Sequence, residues 1–511
     1  MLARVCSGAV YGVNAYAVEI EVHAGHGDPQ FVIVGLPDAA VRESKDRVWT
    51  AMHNAGFRPN LGRTTINLAP ADIKKEGPVF DLPIAAGLLA ATGEIELPHL
   101  DDFALIGELA LSGEVRRVRG VLPVTLEMRR LGKRGILVPA ENAEEAAVAE
   151  GIDVYPVRSL REAIDFLAGE LVLHPFRMDL SDLISRERIY HEDFSDVKGQ
   201  ESAKRALEVA VSGGHNLLMI GSPGSGKTML ARRIPSILPE MDLEEALEAT
   251  RVHSVAGILK SHQALICQRP FRAPHHTISD AGLLGGGAHP LPGEVSLAHC
   301  GVLFLDELPE FHRNVLEVLR QPLEDGHVSI ARAAASLDFP SRFMLVAAMN
   351  PCPCGYAGDP KRECRCTSTK IQNYRNRISG PLLDRIDIHI EVPPVHYHDM
   401  STLARGESSA QIRARVEACR ARQRHRFQNQ SRITCNAAMS AREVQTYCVP
   451  TPSAAELLKA AMQELNFSAR AYDRIVKVAR TIADMADSAE ITEPHIAEAI
   501  QFRTLDRTMW I

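Results

Sequence analysis

Three groups of residues in this 511-residue chain have types and spacings that support chemistry. The first is Gly221-Ser222-Pro223-Gly224-Ser225-Gly226-Lys227-Thr228, which fits G-x-x-x-x-G-K-[ST]. Glycines let successive backbone N–H groups turn toward one anion, and a helix starting at such a loop adds partial positive charge. Lys227 would reach the β/γ-phosphates of a nucleoside triphosphate, and Thr228 would ligate Mg²⁺. The second is Asp306-Glu307, at the end of the apolar run Val302-Leu303-Phe304-Leu305. There Asp306 would hold Mg²⁺ through water and Glu307 would activate the attacking water as general base. The third is Cys352-Pro353-Cys354 with Cys364-Arg365-Cys366. Four thiolates this close suit a structural, tetrahedral Zn²⁺, although the pairs are tighter than the usual C-x₂₋₄-C. The alternative is a set of free thiols in a glycine-rich turn.

The elements that must position these residues follow from their surroundings. Leu217-Leu218-Met219-Ile220 reads as a buried strand before the glycine loop, and Met229 to Arg233 as the start of a helix after it. A further strand, Phe343 to Met349, ends at Asn350-Pro351. Strands alternating with helices over 193–400 predict an α/β core with a parallel sheet, whose ligands lie at the carboxyl ends of the strands. Residues 401–511 read as helical, over 409–428, 453–465, 469–486 and 492–502. Residues 1–170 form a separate block, with strands at Ala17–Val22, Phe31–Val34 and Ala104–Leu109 and helices at 42–55 and 121–131. Residues 171–192, with Pro175 and mixed charge, read as a linker.

Composition is that of an ordinary globular protein, 45% hydrophobic and 24% charged. No apolar run reaches the roughly 20 residues of a membrane helix. The start Met1-Leu2-Ala3-Arg4-Val5-Cys6 lacks the apolar stretch of a signal peptide, and ten cysteines in 511 residues do not form a secreted disulfide pattern. A cytoplasmic location and no membrane partner are expected. A net charge of −7 leaves nucleic-acid binding to a local basic surface. Residues 413–432 hold seven arginines opposed within that stretch by Glu417 alone. Arg413, Arg415, Arg420, Arg422, Arg424, Arg426 and Arg432 would either follow a phosphate backbone or form a solvated helix face. His275 and His276 are expected to serve packing or hydrogen bonds rather than metal.

The order of glycine loop, Asp-Glu strand, Asn350 strand tip, Leu382-Leu383-Asp384-Arg385 and helical lid resembles AAA+ ATPases, in the branch of magnesium chelatase I subunits and MCM helicases. That resemblance implies an AAA+ P-loop core with a helical lid. It makes Asn350 the sensor 1 residue, Arg385 an arginine finger acting on the neighbouring subunit's nucleotide, and Arg470 the sensor 2 residue, with Arg474 as alternative. Phe194 to Gln200 is similar to the segment flanking adenine. Arg332 matches the basic tip of a pre-sensor-1 hairpin that would hold a DNA phosphate, and residues 272–287 match a pore-facing helix-2 insert.

Along the whole chain, Val34-Gly35-Leu36-Pro37-Asp38, Phe271 to Thr277 and Asn350 to Gly355 are similar to the ComM/YifB family of magnesium-chelatase-like proteins. The resemblance implies ATP and Mg²⁺ as cofactors, a homohexamer, single-stranded or branched DNA bound without sequence preference, and branch migration in natural transformation or recombination. A magnesium-chelatase-type motor and a protein-remodelling ATPase are the alternatives. The first 170 residues resemble the S5-like α+β domain of Lon proteases. Lys75-Glu76-Gly77-Pro78 is followed by Val79 where Lon has its serine, and Arg119-Gly120-Val121-Leu122 lacks the lysine. No Ser–Lys dyad is expected, hence no peptidase activity.

Overall fold

The computed structural model describes all residues except 26, 28–29, 60–61, 261–262, 288–289, 333–334, 360–361, 395–405, 429, 431–432, 466 and 506–511, and omits the side chains of 331, 332 and 335. The chain divides into two compact units. One comprises 1–188, 246–267 and 331–339, and the other 189–245, 268–330 and 340–511.

The first unit is built on a seven-stranded sheet in the order Gln30–Val34, Arg63–Ala69, Asn14–Ala24, Leu2–Tyr11, Phe103–Leu105, Gly135–Pro139, Asp153–Val157. Leu2–Tyr11 and Asn14–Ala24 pair antiparallel over ten residues, whereas the three strands beyond Leu2–Tyr11 run parallel. The run Ala104–Leu109 is broken after Leu105 into two short strands. Gly107 sits at the break, where a Cβ would meet Val115 Cγ1 at 2.8 Å. Helix Asp81–Thr92 is buried along nearly its whole length. Asp81, at its start, takes hydrogen bonds from Ser44 and from Arg47 Nε at 2.8 Å, so its buried carboxylate is paired. The later segment joins this unit through Arg117 Nη2 to Leu259 O (3.0 Å), Gly120 N to Ser254 O (3.3 Å) and Ser254 Oγ to Glu145 (2.5 Å). Residues 171–192 contain a helix, Leu180–Glu187, capped by Asp179.

The second unit has a five-stranded, all-parallel sheet in the order Phe271–Arg272, Val302–Leu305, Met344–Met349, Leu217–Ile220, Ile388–Glu391. The three central strands are buried at every residue, which is why they read as unbroken apolar runs. The C-terminal helices are Ser409–Phe427, Ala441–Tyr447, Pro452–Glu464, Ala469–Met485 and Glu493–Gln501. Ala469–Met485 is tied to the sheet through buried Asp387. This carboxylate accepts from Asn216 N (3.2 Å), lies 3.2 Å from His215 Nδ1 and pairs with Arg474 (2.9 Å). Burial raises the Asp387 pKa, but Arg474 and His215 outweigh it and hold the group well below the carboxylate range. His215 Nε2 completes the link to Thr481 Oγ1 at 2.8 Å. Among the described residues no helix is long and apolar enough to cross a membrane.

Candidate active site

Strand Leu217–Ile220 delivers the chain to the glycine loop at the carboxyl edge of the parallel sheet. Gly221 has no room for a side chain, since a Cβ would lie 2.4 Å from Val392 O. Gly224 and Gly226 adopt left-handed φ of 80° and 94°, which curl the loop before helix Lys227–Ile237. No side chain caps that helix, so its first N–H groups face the loop. Two polar atoms here, Ser225 Oγ and Gln200 Oε1, are buried without a hydrogen-bond partner among the described residues. Gln200 has a left-handed φ of 58° and its amide donates to Ser225 O at 2.5 Å. A cradle lined with unsatisfied polar atoms and an uncapped helix start fits a phosphate-bearing ligand.

Lys227, Thr228, Asp306, Glu307 and Asn350 come together on this edge. Lys227 is 8% exposed. Its ammonium donates to Gly221 O (2.8 Å), Ser222 O (3.1 Å) and Asn350 Oδ1 (3.3 Å). Burial lowers its pKa, and the carboxylates of Asp306 and Glu307 oppose that. Thr228 Oγ1 donates to Asp306 Oδ2 at 2.7 Å, which places a hydroxyl and a carboxylate, both Mg²⁺ ligand types, in contact. Glu307 stands just past the strand in a left-handed conformation (φ 53°), with its side chain exposed. A non-glycine residue held there is a local strain of the kind found at functional sites.

His276 lies 3.5 Å from Glu307 Oε2 through Nδ1. His275 stacks on His276 at 4.1 Å between centroids, and its own Nδ1 is 2.9 Å from Thr277 Oγ1. The histidine pair thus packs and hydrogen-bonds, but its contact with Glu307 lies outside what the sequence reading reached. Arg272, at the start of the 272–287 segment, is paired with Glu294 at 2.6 Å.

Arg385 and Arg470 are placed differently. Arg385 is 8% exposed, donates to Pro381 O at 2.5 Å and forms an ion pair with Glu324 of its own chain. Arg470 is exposed and pairs with Asp384 at 3.2 Å. Neither makes a hydrogen bond or ion pair with the glycine loop among the described residues. Arg474 is committed to Asp387.

The arginines of helix Ser409–Phe427 find internal partners. Arg415 pairs with Glu208 (2.5 Å) and Glu407, Arg422 with Asp487 (2.6 Å), and Arg426 with Asp484. Arg413 and Arg420 donate to backbone carbonyls of Ser236 (2.9 Å) and Val211 (3.1 Å). Arg424 is exposed, and Arg432 lies outside the described residues. The solvated or internally paired face is what the structure supports; the opposing carboxylates come from outside the stretch. Residues 327–332 and 335–340 form a two-stranded hairpin. Its tip and the Arg332 side chain lie outside the described residues.

The ligand atoms of Cys352, Cys354, Cys364 and Cys366 all lie within 4.8 Å of one another. Three of the sulfur separations are 3.3, 3.7 and 3.6 Å. A tetrahedron with Zn–S near 2.3 Å has edges of about 3.8 Å, so the donor set fits that ion. Two of the thiols are shifted in opposite directions. The backbone N–H groups of Tyr356 and Arg365 pull Cys354 down to about 6, whereas at Cys364 the Cys366 N–H is outweighed by burial and the neighbouring cysteines, which push the thiol up to about 12, so the fit to zinc rests on the sulfur geometry.

An all-parallel sheet with a phosphate loop, an Asp-Glu strand tip and a polar residue on the neighbouring strand defines an AAA+ protein. Residues 193–400 match the family described as magnesium chelatase, subunit ChlI. Residues 20–142 and 406–503 match two further ChlI families, the latter its C-terminal part. The chain is 45% identical to competence protein ComM of Haemophilus influenzae, over 99% of this chain and 98% of the relative. It is 44% identical to the YifB protein of Escherichia coli over the same shares. A shorter similarity, 25% over 33% of this chain and 32% of the relative, is to Lon protease 2 of Bacillus subtilis. The chain belongs to the ComM/YifB family of magnesium chelatase-like AAA+ proteins. This membership implies ATP and Mg²⁺ and suggests ATPase activity.

Proposed function

We propose that this chain is an ATP-driven DNA motor that works as a homohexameric ring in the cytoplasm, catalysing branch migration during natural transformation or homologous recombination. The contact between Thr228 Oγ1 and Asp306 Oδ2, with Lys227 and Asn350 beside it, is the observation that carries the ATPase part. Near full-length similarity to a competence protein carries the DNA part.

In this reading Lys227 neutralises the β/γ-phosphates, Thr228 and Asp306 hold Mg²⁺, Glu307 activates water and Asn350 orients it. His276 holds the Glu307 carboxylate between cycles. Arg385 leaves Glu324 to reach the adjacent subunit's γ-phosphate, and Arg470 leaves Asp384 to contact nucleotide from the lid. Arg332 grips a DNA phosphate from the hairpin. The segment 1–170 is a scaffold without peptidase chemistry, 171–192 a linker, 193–400 the ATPase core and 401–511 the lid. Cys352, Cys354, Cys364 and Cys366 hold a structural zinc.

The test is ATP hydrolysis by the full chain with single-stranded, branched or no DNA, read alongside its assembly state. Stimulation by DNA, weakening steeply with salt, is expected. Stimulation by a protein substrate or a porphyrin–metal system, with none by DNA, would sink the DNA reading in favour of remodelling or chelation. Mixing inactive Lys227→Ala and Arg385→Ala chains should restore partial turnover if the finger acts between subunits.

A further inference from the structure

The cysteine turn is built onto the nucleotide site. Asn350, whose amide oxygen faces Lys227, is separated from Cys352 by Pro351 alone. Arg375 holds that link from the other side, donating to Pro351 O through Nε (3.3 Å) and Nη2 (3.2 Å). Past Cys354, Gly355 turns with φ 86° and lies directly on the glycine loop. A Cβ there would sit 2.5 Å from both Cγ and Cδ of Pro223. Gly355 N also bonds Cys352 O at 2.9 Å, and Ala357 N approaches Cys352 Sγ at 3.3 Å, so the turn wraps its own buried ligand. The turn therefore touches the phosphate site at two places, the strand tip carrying Asn350 and the crown of the loop at Pro223.

We propose that zinc at Cys352, Cys354, Cys364 and Cys366 is a clamp on the nucleotide site: the metal fixes the turn, and the turn fixes Pro223 and Asn350, so nucleotide affinity depends on metal occupancy. This rests on the zinc reading above and adds a target to it. With the metal in place, four ligands lock the Cys352–Cys354 and Cys364–Cys366 arms together. Without it, nothing ties the two arms to each other, the turn relaxes, and Gly355 no longer backs the loop. A displacement of about 1 Å in a phosphate-contacting loop costs up to roughly 100-fold in function.

The experiment measures zinc content and the affinity for a fluorescent ATP analogue in the full chain. Four samples are compared: as purified, after chelator treatment, Cys364→Ser and Gly355→Ala. About one zinc per chain is expected in the purified protein and in Gly355→Ala, and much less in Cys364→Ser. Nucleotide affinity should fall about tenfold or more in the chelated sample, in Cys364→Ser and in Gly355→Ala alike. Zinc well below one per chain in the purified protein overturns the metal site itself. Stoichiometric zinc, with affinity unchanged on chelation and in Gly355→Ala, leaves the metal site standing and overturns the clamp. Gly355→Ala and the chelated wild type keep the question open to refutation if Cys364→Ser does not fold.

Discussion

Each unit buries a lysine close to a glycine, and the two lysines do different things. Lys75, 0% exposed, donates to Ile73 O at 2.8 Å, two residues away in its own turn. Lys227 donates to two loop carbonyls and to Asn350, 123 residues further on. Burial lowers the pKa of both. The carboxylate opposing this at Lys75 is Asp72, in the same turn, whereas at Lys227 it is Asp306 and Glu307 from another strand. Lys75 is satisfied within its own segment; Lys227 also reaches the tip of a second strand at Asn350 and faces carboxylates at the end of a third, which places it for a ligand that can replace those partners. The first turn also continues into Val79, with no nucleophile, while the second continues into Thr228.

The sharpest way to break this contrast is Lys227→Ala. ATP turnover should fall roughly 10³-fold or more, with thermal unfolding little changed. Phosphate release within tenfold of the parent would end the comparison. Glu307→Gln should cost about 10²–10⁴ in turnover while the affinity for ATP is retained, because a general base acts on water and not on binding. Lys75→Met should leave turnover within about twofold, read as phosphate release.

The Lys75 contrast also has a pH signature. Its folded pKa lies below the 10.5 of the free side chain, so between those values the unfolded chain binds more protons. Stability gained from this group therefore rises with pH across that window, and Lys75→Met should flatten that rise in melts compared between the two proteins. An identical slope would mean that Lys75 is not desolvated. The smallest effect is expected at Arg422, which pairs with the exposed carboxylate of Asp487. Arg422→Ala should cost under about 1 kcal/mol and leave turnover unaltered, as measured by denaturant unfolding and phosphate release.

The glycine loop, the Asp-Glu strand tip and the four lid helices predicted over 409–502 were legible because their signals are local. They rest on glycines at fixed offsets, an apolar run of strand length, or a three-to-four residue period. Helix Asp81–Thr92 escaped because it is buried on nearly all sides and so has no period to read. Strand Leu2–Tyr11, the middle strand of its sheet, escaped because Cys6, Ser7 and Gly8 interrupt its apolar alternation. Helix Ala441–Tyr447 is two turns long and left too short a pattern. Contacts between distant residues were out of reach. Glu208, Asp484 and Asp487 neutralise an arginine run that looks unopposed in sequence, and nothing local ties His276 to Glu307 or Glu324 to Arg385.

The first unit is assembled from three separate stretches, 1–188, 246–267 and 331–339. During synthesis its sheet emerges from the ribosome well before residues 254–259, which supply partners to Gly120, Arg117 and Glu145. At about 5–20 residues per second, the interval between completing residue 188 and residue 339 is roughly 8–30 s. For that time the nascent first unit lacks part of its own surface. A fragment cut after residue 188 would stay in that unfinished state, so the two units are not modules that one excision can separate.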